Sequence, residues 1–556
     1  MPEPVALFFA LAIIYFLLIV EAVLALGAVR MAPKRWRLER LERVLARLAA
    51  RPALSLAVVA GVALIGRLLL LPLLPIRAPQ VTDEFSYLLQ ADTFASGRLA
   101  NPTHPMWRHL ETIHVMHQPA YASMHQPLQG LFLAAGKVVA GHPWAGVWAS
   151  VGLMCAAVCW ALRGWFPPRW ALLGGLLVAL RLGLFSYWMN SYWGGAPAAI
   201  GGALVLGALG RLRFRASVRH SLLMGLGMAV LALSRPYEGF VVCLPVAVWL
   251  VAKRPRALVP VGLVAALGVG FLGYYFYRLT GSPLRPPELV QREPYAVAGV
   301  FFWESPRPEP AYRHKPLRDF YAGWELKSFT EVGTLRGFLW NRTRNLISFW
   351  LLYLGPVLTL PLIFLGRVVG DRRVRLLVMV GAVALVGLNL NVWFYAHYAA
   401  PVTALVFALV IQSLRHLRAW RRRTGAGVFL ARAVPAICVV MIAVRLLATP
   451  VKLIFPPDWP MTWYWNSPGN VKRARVLDQL TQTEGLHLVM VRYSDKHEAV
   501  MNEWVYNQAD IDRAKVVWAR EMDGASNREL LRYFSNRRVW LVEPDRDPPV
   551  PKPVLR

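Results

Sequence analysis

Apolar runs long enough to cross a lipid bilayer recur along most of this 556-residue chain, and they constrain its fold more than any other feature. A helix needs about 20 predominantly apolar residues to cross the hydrocarbon core. With 56% hydrophobic residues, the composition is too apolar for a soluble multidomain protein. The sequence therefore predicts a polytopic α-helical membrane protein with about 12 transmembrane helices. The predicted spans cover, approximately, residues 5–29, 53–74, 144–162, 170–187, 196–210, 221–233, 240–251, 257–277, 346–368, 374–392, 398–414 and 428–448.

Positive charge distinguishes the two ends of these predicted spans. The chain has 62 Lys and Arg against 31 Asp and Glu, a net charge of +31, and much of the excess lies in short loops. Because Lys and Arg concentrate in cytoplasmic loops, the pattern indicates topology and contact with membrane lipids, and no nucleic-acid partner. Residues 1–52 are predicted to hold a retained first span and a basic amphipathic helix on the cytoplasmic side.

Two long polar segments, 75–143 and 280–344, fall on the outer face by the same rule. The first contains two predicted juxtamembrane helices, 85–94 and 126–139, and the second of these helices is too short to span comfortably.

The transmembrane domain is predicted over 53–450, and the composition then becomes polar. Residues 451–556 are predicted to form a small outer or periplasmic α/β domain, because short strand patterns alternate there with a helical one. The strand patterns lie at 487–494, 516–521 and 537–544, and the helical pattern lies at 527–536.

Two adjacent carboxylates, Asp83 and Glu84, closely follow the second predicted span, in the stretch 81–98. Ionisable residues at a membrane are costly and are often functional. Five other polar stretches are predicted on the same face: 104–125, 187–195, 235–238, 303–324 and 397–398. A site built from several loops on one side is the geometry expected for an enzyme that takes its substrate from the outer leaflet.

Three short motifs resemble those of the glycosyltransferase C superfamily, which includes the protein O-mannosyltransferases and the lipid A aminoarabinose transferase. They are Thr82-Asp83-Glu84-x-x-Tyr87, the segment HQPLQGLFLAAG beginning at His125, and the segment HYAAPVTAL beginning at His397. The resemblance covers about residues 55–450. The chain departs from the family at Gln126-Pro127, where a Pro-Pro pair is usual, and at His397, where Arg is common.

The resemblance implies inverting transfer of a sugar from a polyprenyl-phosphate donor to a glycan, lipid or protein acceptor, on the outer face of a bacterial inner membrane. Asp83 would be the general base, and Glu84 is the alternative carboxylate. The predicted substrate-binding residues are polar or aromatic side chains of the outer loops: Tyr87, His125, Gln126, Asn190, Tyr192, Trp193, Arg235, Tyr237, Glu238, His397 and Tyr398.

These candidates have structural alternatives. Asp83 could cap the helix that follows it. Arg235 is suited to binding a phosphate, but it could instead pair with Glu238 to close a tight turn. His397 and Tyr398 could belong to an interfacial aromatic belt.

Histidines crowd the first outer loop, at positions 104, 109, 114, 117 and 125. The spacing of His114 and His117 would suit a metal ion if the segment were helical. No His-Glu-x-x-His motif or cysteine pair accompanies them, so no metal ligands are predicted. A structural zinc or a divalent cation shared with Asp83 stays open as an alternative.

A transporter or flippase of lipid-linked glycans is the alternative function from another class. It would be expected to show internal repeats and ionisable residues near span centres. Arg67 and Arg181 lie within predicted spans, but no repeat is evident and the large outer loops favour an enzyme. A polymerase or ligase using lipid-linked oligosaccharide is a third hypothesis, which differs from the first only in its acceptor.

Overall fold

The computed structural model describes residues 15–32, 38–420, 424–448, 462–465 and 467–554, and helices dominate it. In chain order the longer helices are α1 (Phe16–Met31), α2 (Glu39–Ala50), α3 (Pro52–Leu69), α4 (Thr82–Ala95), α5 (Pro127–Ala140), α6 (Trp144–Leu162), α7 (Pro168–Leu182), α8 (Ala196–Leu212), α9 (Val218–Ala232), α10 (Pro236–Lys253), α11 (Leu258–Thr280), α12 (Leu335–Tyr353), α13 (Gly355–Val369), α14 (Arg375–Leu388), α15 (Thr403–Ala419), α16 (Ala426–Ala448), α17 (Val471–Gln482) and α18 (Gly524–Tyr533). Short helical turns lie at Trp107–Leu110, Tyr187–Asn190, Pro255–Ala257, Pro287–Arg292, Lys315–Arg318, Asp319–Glu325, Leu326–Val332, Ala396–Val402 and Ala499–Asn502. The strands are β1 (Asn101–Pro102), β2 (Val115–Met116), β3 (Ala120–Ser123), β4 (His487–Val491), β5 (Val516–Arg520), β6 (Arg538–Val542) and β7 (Lys552–Pro553).

Within these described ranges, six helices are long and apolar enough to cross a membrane, and a bent pair makes a seventh candidate. The six are Pro52–Leu69, Trp144–Leu162, Pro236–Lys253, Pro255–Thr280, Ala396–Ala419 and Ala426–Ala448. The predicted number of about 12 is not confirmed, because α8, α9 and α14 are apolar helices of only 10–17 residues. Residues 5–14 of the first predicted span lie outside the described residues.

The span predicted over 346–368 is not one straight helix. It is the pair α12 and α13, which are bent by 97° at a short break. Gly355 at the break has φ +57°, a left-handed conformation that favours glycine, and Pro356 follows it. A Cβ on Gly355 would also lie 2.0 Å from the guanidinium of Arg181. The bend therefore depends on both the backbone freedom and the small size of glycine.

A buried ion pair joins three parts of the membrane region. Nη1 of Arg181 lies 3.1 Å from Oε1 of Glu21, and both side chains are at most 5% exposed. The same carboxylate accepts hydrogen bonds from the backbone N–H of Val357 and the indole N–H of Trp463. These contacts tie α1 and α7 to the start of α13.

Replacing Glu21 with Gln is expected to destabilise the protein strongly, because it leaves the Arg181 guanidinium buried without its counter-charge. Loss of one partner of a buried pair costs about 3–5 kcal/mol. Scanning fluorimetry of detergent-purified protein should show a lower unfolding temperature, and a Glu21→Met/Arg181→Met double variant should recover much of it. Glu293→Gln, in an exposed pair with Arg285, is the control and should change little. An equal effect of the two single variants would contradict this account.

Basic loops gather at one end of the helix bundle. Arg163, after α6, donates to the backbone carbonyl of Ala49 in α2 at 2.7 Å. Arg213, after α8, donates to the carbonyl of Arg373, just before α14, also at 2.7 Å. The predicted cytoplasmic loops therefore meet at the same end. The predicted amphipathic helix, based on the apolar residues between 38 and 48, corresponds to α2.

The small α/β domain predicted at the C-terminal end is present. Its sheet has the order β5-β4-β6-β7, with β4, β5 and β6 parallel and β7 antiparallel at the edge. All residues of β4 and β5 are buried, which explains why both are strongly apolar in sequence. The predicted helix is α18, which begins at Gly524. The boundary predicted at 451 lies outside the described residues.

This domain packs on the first outer loop. Phe85 of α4 stacks on Tyr506, with ring centroids 4.3 Å apart. Tyr506 also donates to the carbonyl of Ile113 at 3.2 Å, and Arg520 donates to the carbonyl of Glu111 at 2.7 Å. The domain therefore holds both α4 and the segment that precedes β2.

Candidate active site

Asp83 lies in the first turn of α4, and its side chain is 20% exposed. Its Oδ1 is 3.0 Å from Nδ1 of His114 and 3.0 Å from Nε2 of His125. The antiparallel pairing of β2 with β3 explains this convergence, because Val115 lies opposite Ser123 and the two histidines flank that pair. The small outer sheet thus brings both imidazoles to the start of α4.

His114 has a backbone conformation that is rare for a residue with a side chain, with φ +61°. Ser86 of α4 holds it in place by donating a hydrogen bond to its carbonyl at 2.6 Å. Thr82 Oγ1 lies 3.0 Å from its ring Nδ1. Residues in strained conformations cluster at functional sites, and here the strain aims the imidazole at Asp83.

Asp83 carries a negative charge in this environment. Burial disfavours the charged form, but the imidazoles of His114 and His125 outweigh it and hold the pKa of this carboxyl well below its usual value. The N-cap of α4 is Val81, and Asp83 makes no capping bond among the described residues. The carboxylate is therefore not engaged as a helix cap.

Glu84, predicted as the alternative carboxylate, has structural contacts. Its side chain is fully buried, and its carboxylate forms four hydrogen bonds, with the backbone N–H groups of Gln80, Val81 and Tyr192 and with Arg77. These hydrogen bonds stabilise the first turn of α4 and connect it to the loop that follows α7. This geometry does not fit an alternative base, because no oxygen faces an open site.

Tyr87 lies one turn further along α4. Its ring stacks on that of His125, with centroids 4.3 Å apart. Burial raises the pKa of Tyr87, Arg235 lowers it, and Asp83 and Glu288 raise it further, so the hydroxyl lies within electrostatic reach of all three charges. Sequence reasoning missed Glu288, which stands in a short helix of the second outer loop.

Arg235 lies between α9 and α10. Its guanidinium is 4.1 Å from the centroid of the Tyr398 ring, and its Nη1 is 3.8 Å from Oε1 of Glu238. The latter distance is long for a hydrogen-bonded ion pair. Arg235, Glu238 and Tyr398 therefore lie together, as predicted residues of the site. The guanidinium of Arg235 retains N–H groups that can donate hydrogen bonds to a ligand.

His397 is buried behind this cluster and is not open to a substrate. Its Nδ1 lies 3.0 Å from the hydroxyl of Tyr187, and its ring is 4.9 Å from that of Trp193. Both aromatic residues are also buried. The ring of His397 is therefore held by buried aromatic neighbours.

Four other predicted binding residues have structural contacts. Asn190 accepts a hydrogen bond from Arg67 at 2.9 Å, and Tyr237 donates to a backbone carbonyl of α14 at 2.7 Å. Tyr192 is 4% exposed and uses its backbone N–H to bind Glu84. Gln126 is the N-cap of α5.

Asp83, His114 and His125 also have the composition of a metal site. Their ligand atoms all lie within 4.8 Å of one another. Imidazole and carboxylate together suit zinc and other divalent transition metals. The three residues therefore fit a divalent cation.

The histidine pair considered from sequence does not form. His117 lies in the turn after β2, not on a helix, and its ring packs 5.4 Å from that of Tyr121. His104 contacts Asp512 and His109 contacts the carbonyl of Arg520, both in the C-terminal domain. His114 pairs instead with His125, which is distant in sequence.

Glu111 links the two outer loops. Its carboxylate accepts hydrogen bonds from Tyr295 and Arg313 and lies 3.4 Å from His314. Burial raises its pKa, but these three partners outweigh it and lower the pKa to about 2.

Replacing Glu111 with Gln should lower stability at neutral pH and flatten its acid dependence. Since the folded pKa of about 2 lies below the ordinary 4.5, the stabilisation is present above pH 4.5 and is lost as the pH falls toward 2. The shift corresponds to about 3 kcal/mol. Unfolding temperatures measured from pH 7 to pH 3 test this, with Glu309→Gln, in an exposed pair, as the control. Parallel curves for wild type and Glu111→Gln would contradict it.

No protein-family model matches the sequence, and no curated protein matches it. The solved structures that match most of the chain include two with TM-scores of at least 0.50. The crystal structure of ArnT from Cupriavidus metallidurans, bound to undecaprenyl phosphate, has a TM-score of 0.52 and 15% identity and covers 88% of this chain and 92% of that chain. The oligosaccharyltransferase of Archaeoglobus fulgidus, in complex with Zn and sulfate, has a TM-score of 0.50 and 12% identity and covers 88% of this chain and 67% of that chain.

Both neighbours are members of the glycosyltransferase C superfamily. The resemblance inferred from the three sequence motifs is thus confirmed at the level of the fold. The chain therefore has a fold similar to that of these two proteins, and its long apolar helices indicate an integral membrane protein.

Proposed function

We propose that this protein is a glycosyltransferase that moves a sugar from a polyprenyl-phosphate donor to an acceptor on the outer face of the membrane, with inversion. The observation that carries the proposal is that Asp83, contacted by two histidines, and Arg235, stacked on Tyr398, both act electrostatically on the hydroxyl of Tyr87. One group suits deprotonation of an acceptor, and the other suits a departing phosphate. The predicted setting is the periplasmic side of a bacterial inner membrane.

Asp83 would accept the proton of the attacking acceptor group. The acceptor oxygen or nitrogen forms a bond to the anomeric carbon while the bond from that carbon to the phosphate oxygen breaks, and attack from the opposite face inverts the centre. His114 and His125 orient the carboxylate and keep it unprotonated. Its low pKa makes Asp83 a weak base, which suits a transition state in which the acceptor proton leaves late.

Arg235 would stabilise the negative charge that develops on the polyprenyl phosphate. Its stacking on Tyr398 orients the planar guanidinium, which can bind two phosphate oxygens. The helix that follows, α10, exposes Phe240, Leu244 and Val248 at helical spacing. This apolar stripe supports a path for the lipid tail beside the phosphate.

A divalent cation is the cofactor that the site residues fit. Asp83, His114 and His125 would hold it, and when bound it would supply positive charge to the donor phosphate. Treating the purified protein with a chelator and then restoring Zn²⁺, Mn²⁺ or Mg²⁺ separately tests this part. Unchanged transfer after chelation, with no bound metal by elemental analysis, would exclude the cation and leave Asp83 as the base alone.

A panel of radiolabelled donors tests the proposal directly. Protein reconstituted in liposomes is given polyprenyl-phosphate hexoses, polyprenyl-phosphate pentoses and a pyrophosphate-linked oligosaccharide, with cell-envelope glycolipids as acceptors. Release of polyprenyl phosphate together with labelled acceptor is the expected result, and Asp83→Asn should slow it at least about 100-fold. Consumption of the pyrophosphate donor alone would identify a polymerase or ligase. Movement of an intact donor across the bilayer without its consumption would identify a flippase.

A further inference from the structure

A polar cavity of about 240 Å³ lies between the C-terminal domain and residues 313–319 of the second outer loop. Its floor is the residues that follow β4 and the end of β5. Ligands of open sheets with parallel strands bind at the carboxyl ends of those strands, and pockets concentrate where domains meet. This cavity lies at the carboxyl ends of parallel strands and also where the C-terminal domain meets another part of the chain.

Two buried nitrogen atoms in the cavity wall lack hydrogen-bond partners among the residues that the structure describes. One is Nη1 of Arg520, a side chain that is 2% exposed, and the other is Nε2 of His497, also on a side chain that is 2% exposed. The remaining nitrogens of both residues are occupied. Arg520 donates to Glu503 and to the carbonyl of Glu111, each at 2.7 Å, and Nδ1 of His497 is 2.7 Å from Asp545.

Buried polar atoms without partners are rare in folded proteins and cost free energy. Both nitrogens are closed to a water-sized probe, and the Tyr493 ring packs against both side chains, so oxygen atoms of a bound molecule would satisfy them after a small shift of that ring. The cavity is much larger than the roughly 10–15 Å³ that one water requires, so it has room for a ligand.

The charges around the cavity favour a neutral ligand over an ion. Lys315 pairs with Asp319 and Arg492 pairs with Glu521, so the cations at the rim are matched by carboxylates. Arg313 pairs with Glu111 in the same way. A free anion would meet these carboxylates, and a cation would meet the guanidinium groups. Hydroxyl groups both donate and accept, and they match such a mixed surface.

We infer that this cavity binds a carbohydrate unit of the acceptor, with Arg520 and His497 as hydrogen-bonding residues. This inference rests on the proposed function, because sugar transfer is the reaction for which a carbohydrate acceptor would bind. Arg520 also connects the cavity to the candidate active site, because it binds the carbonyl of Glu111, three residues before His114. A glycan anchored here would extend along the segment 111–114 toward Asp83.

Saturation-transfer NMR on the full-length protein in detergent tests the cavity without any transfer reaction. The probes are methyl glycosides of glucose, mannose, galactose and N-acetylglucosamine, with inorganic phosphate as a competitor. At least one glycoside should show transfer in the wild type. The signal should be lost in Ser494→Trp, which fills the cavity from its exposed lip, and in His497→Ala.

Asn536→Trp is the matched control, since Asn536 is exposed just before β6 at the opposite end of the strands. It should keep the wild-type signal, and so should Asp83→Asn. With a labelled acceptor, Ser494→Trp should also raise the acceptor KM at least about tenfold, equivalent to about 1.4 kcal/mol.

The outcomes separate this inference from the proposed function. No glycoside signal, or a signal that survives in Ser494→Trp, overturns the carbohydrate site while leaving transfer by Asp83 standing. Displacement of the glycoside by phosphate would assign the cavity to an anion and also overturns it. A glycoside signal lost in Ser494→Trp, in a protein that transfers sugar from no donor, supports the cavity and overturns the proposed function.

Discussion

Replacing Asp83 with Asn is expected to lower the rate of sugar transfer by about 100- to 10,000-fold, the range that a positioned general base contributes. The amide keeps the shape of the side chain but cannot accept the acceptor proton. Because Asp83 caps no helix, the variant should unfold at a temperature close to that of the wild type. Initial rates of polyprenyl-phosphate release measure the effect.

Glu84→Gln provides the matched control one position away. The Glu84 carboxylate accepts four hydrogen bonds and is fully buried, so this change should lower the unfolding temperature. Its effect on the rate of the protein that stays folded should be small. Full activity in Asp83→Asn, with loss of activity and no loss of stability in Glu84→Gln, would exchange the assigned roles of the two carboxylates.

Charge in short loops predicts which end of each helix is cytoplasmic, and this rule assigned Asp83, Arg235 and Tyr398 to one face although they lie far apart in sequence. In the structure Arg235 contacts Tyr398, and Arg235 and Asp83 both act electrostatically on Tyr87. The strands of the C-terminal domain were equally predictable, because buried parallel strands are continuously apolar.

Other features depend on contacts that no local pattern records. The approach of His114 to His125 requires the pairing of β2 with β3 and a left-handed backbone at a residue that is not glycine. The structural role of Glu84 depends on a hydrogen bond from the backbone N–H of Tyr192, which is more than 100 residues away in sequence. The 97° bend at Gly355 follows from packing against Arg181, within a segment whose composition matches a straight span.

Replacing Arg235 with Gln should reduce kcat/KM for the donor by about 100- to 1,000-fold, the usual cost of removing one preorganised group that stabilises developing negative charge. Arg235→Lys keeps the charge but loses the planar fork, so it should recover only part of the activity. The apparent inhibition constant of added polyprenyl phosphate should rise in both variants, because the product carries the phosphate that Arg235 is proposed to bind.

Glu238→Gln tests the competing interpretation of Arg235 as half of a structural ion pair. If the pair stabilised the turn before α10, both single variants would lower the unfolding temperature alike and affect transfer alike. The 3.8 Å separation and the stacking of Arg235 on Tyr398 favour a guanidinium held mainly by the aromatic ring. Glu238→Gln should therefore retain most of the transfer rate and leave inhibition by polyprenyl phosphate unchanged or stronger, since a nearby negative charge is removed. Equal losses in Arg235→Gln and Glu238→Gln would assign Arg235 to the fold and leave the donor phosphate to another residue.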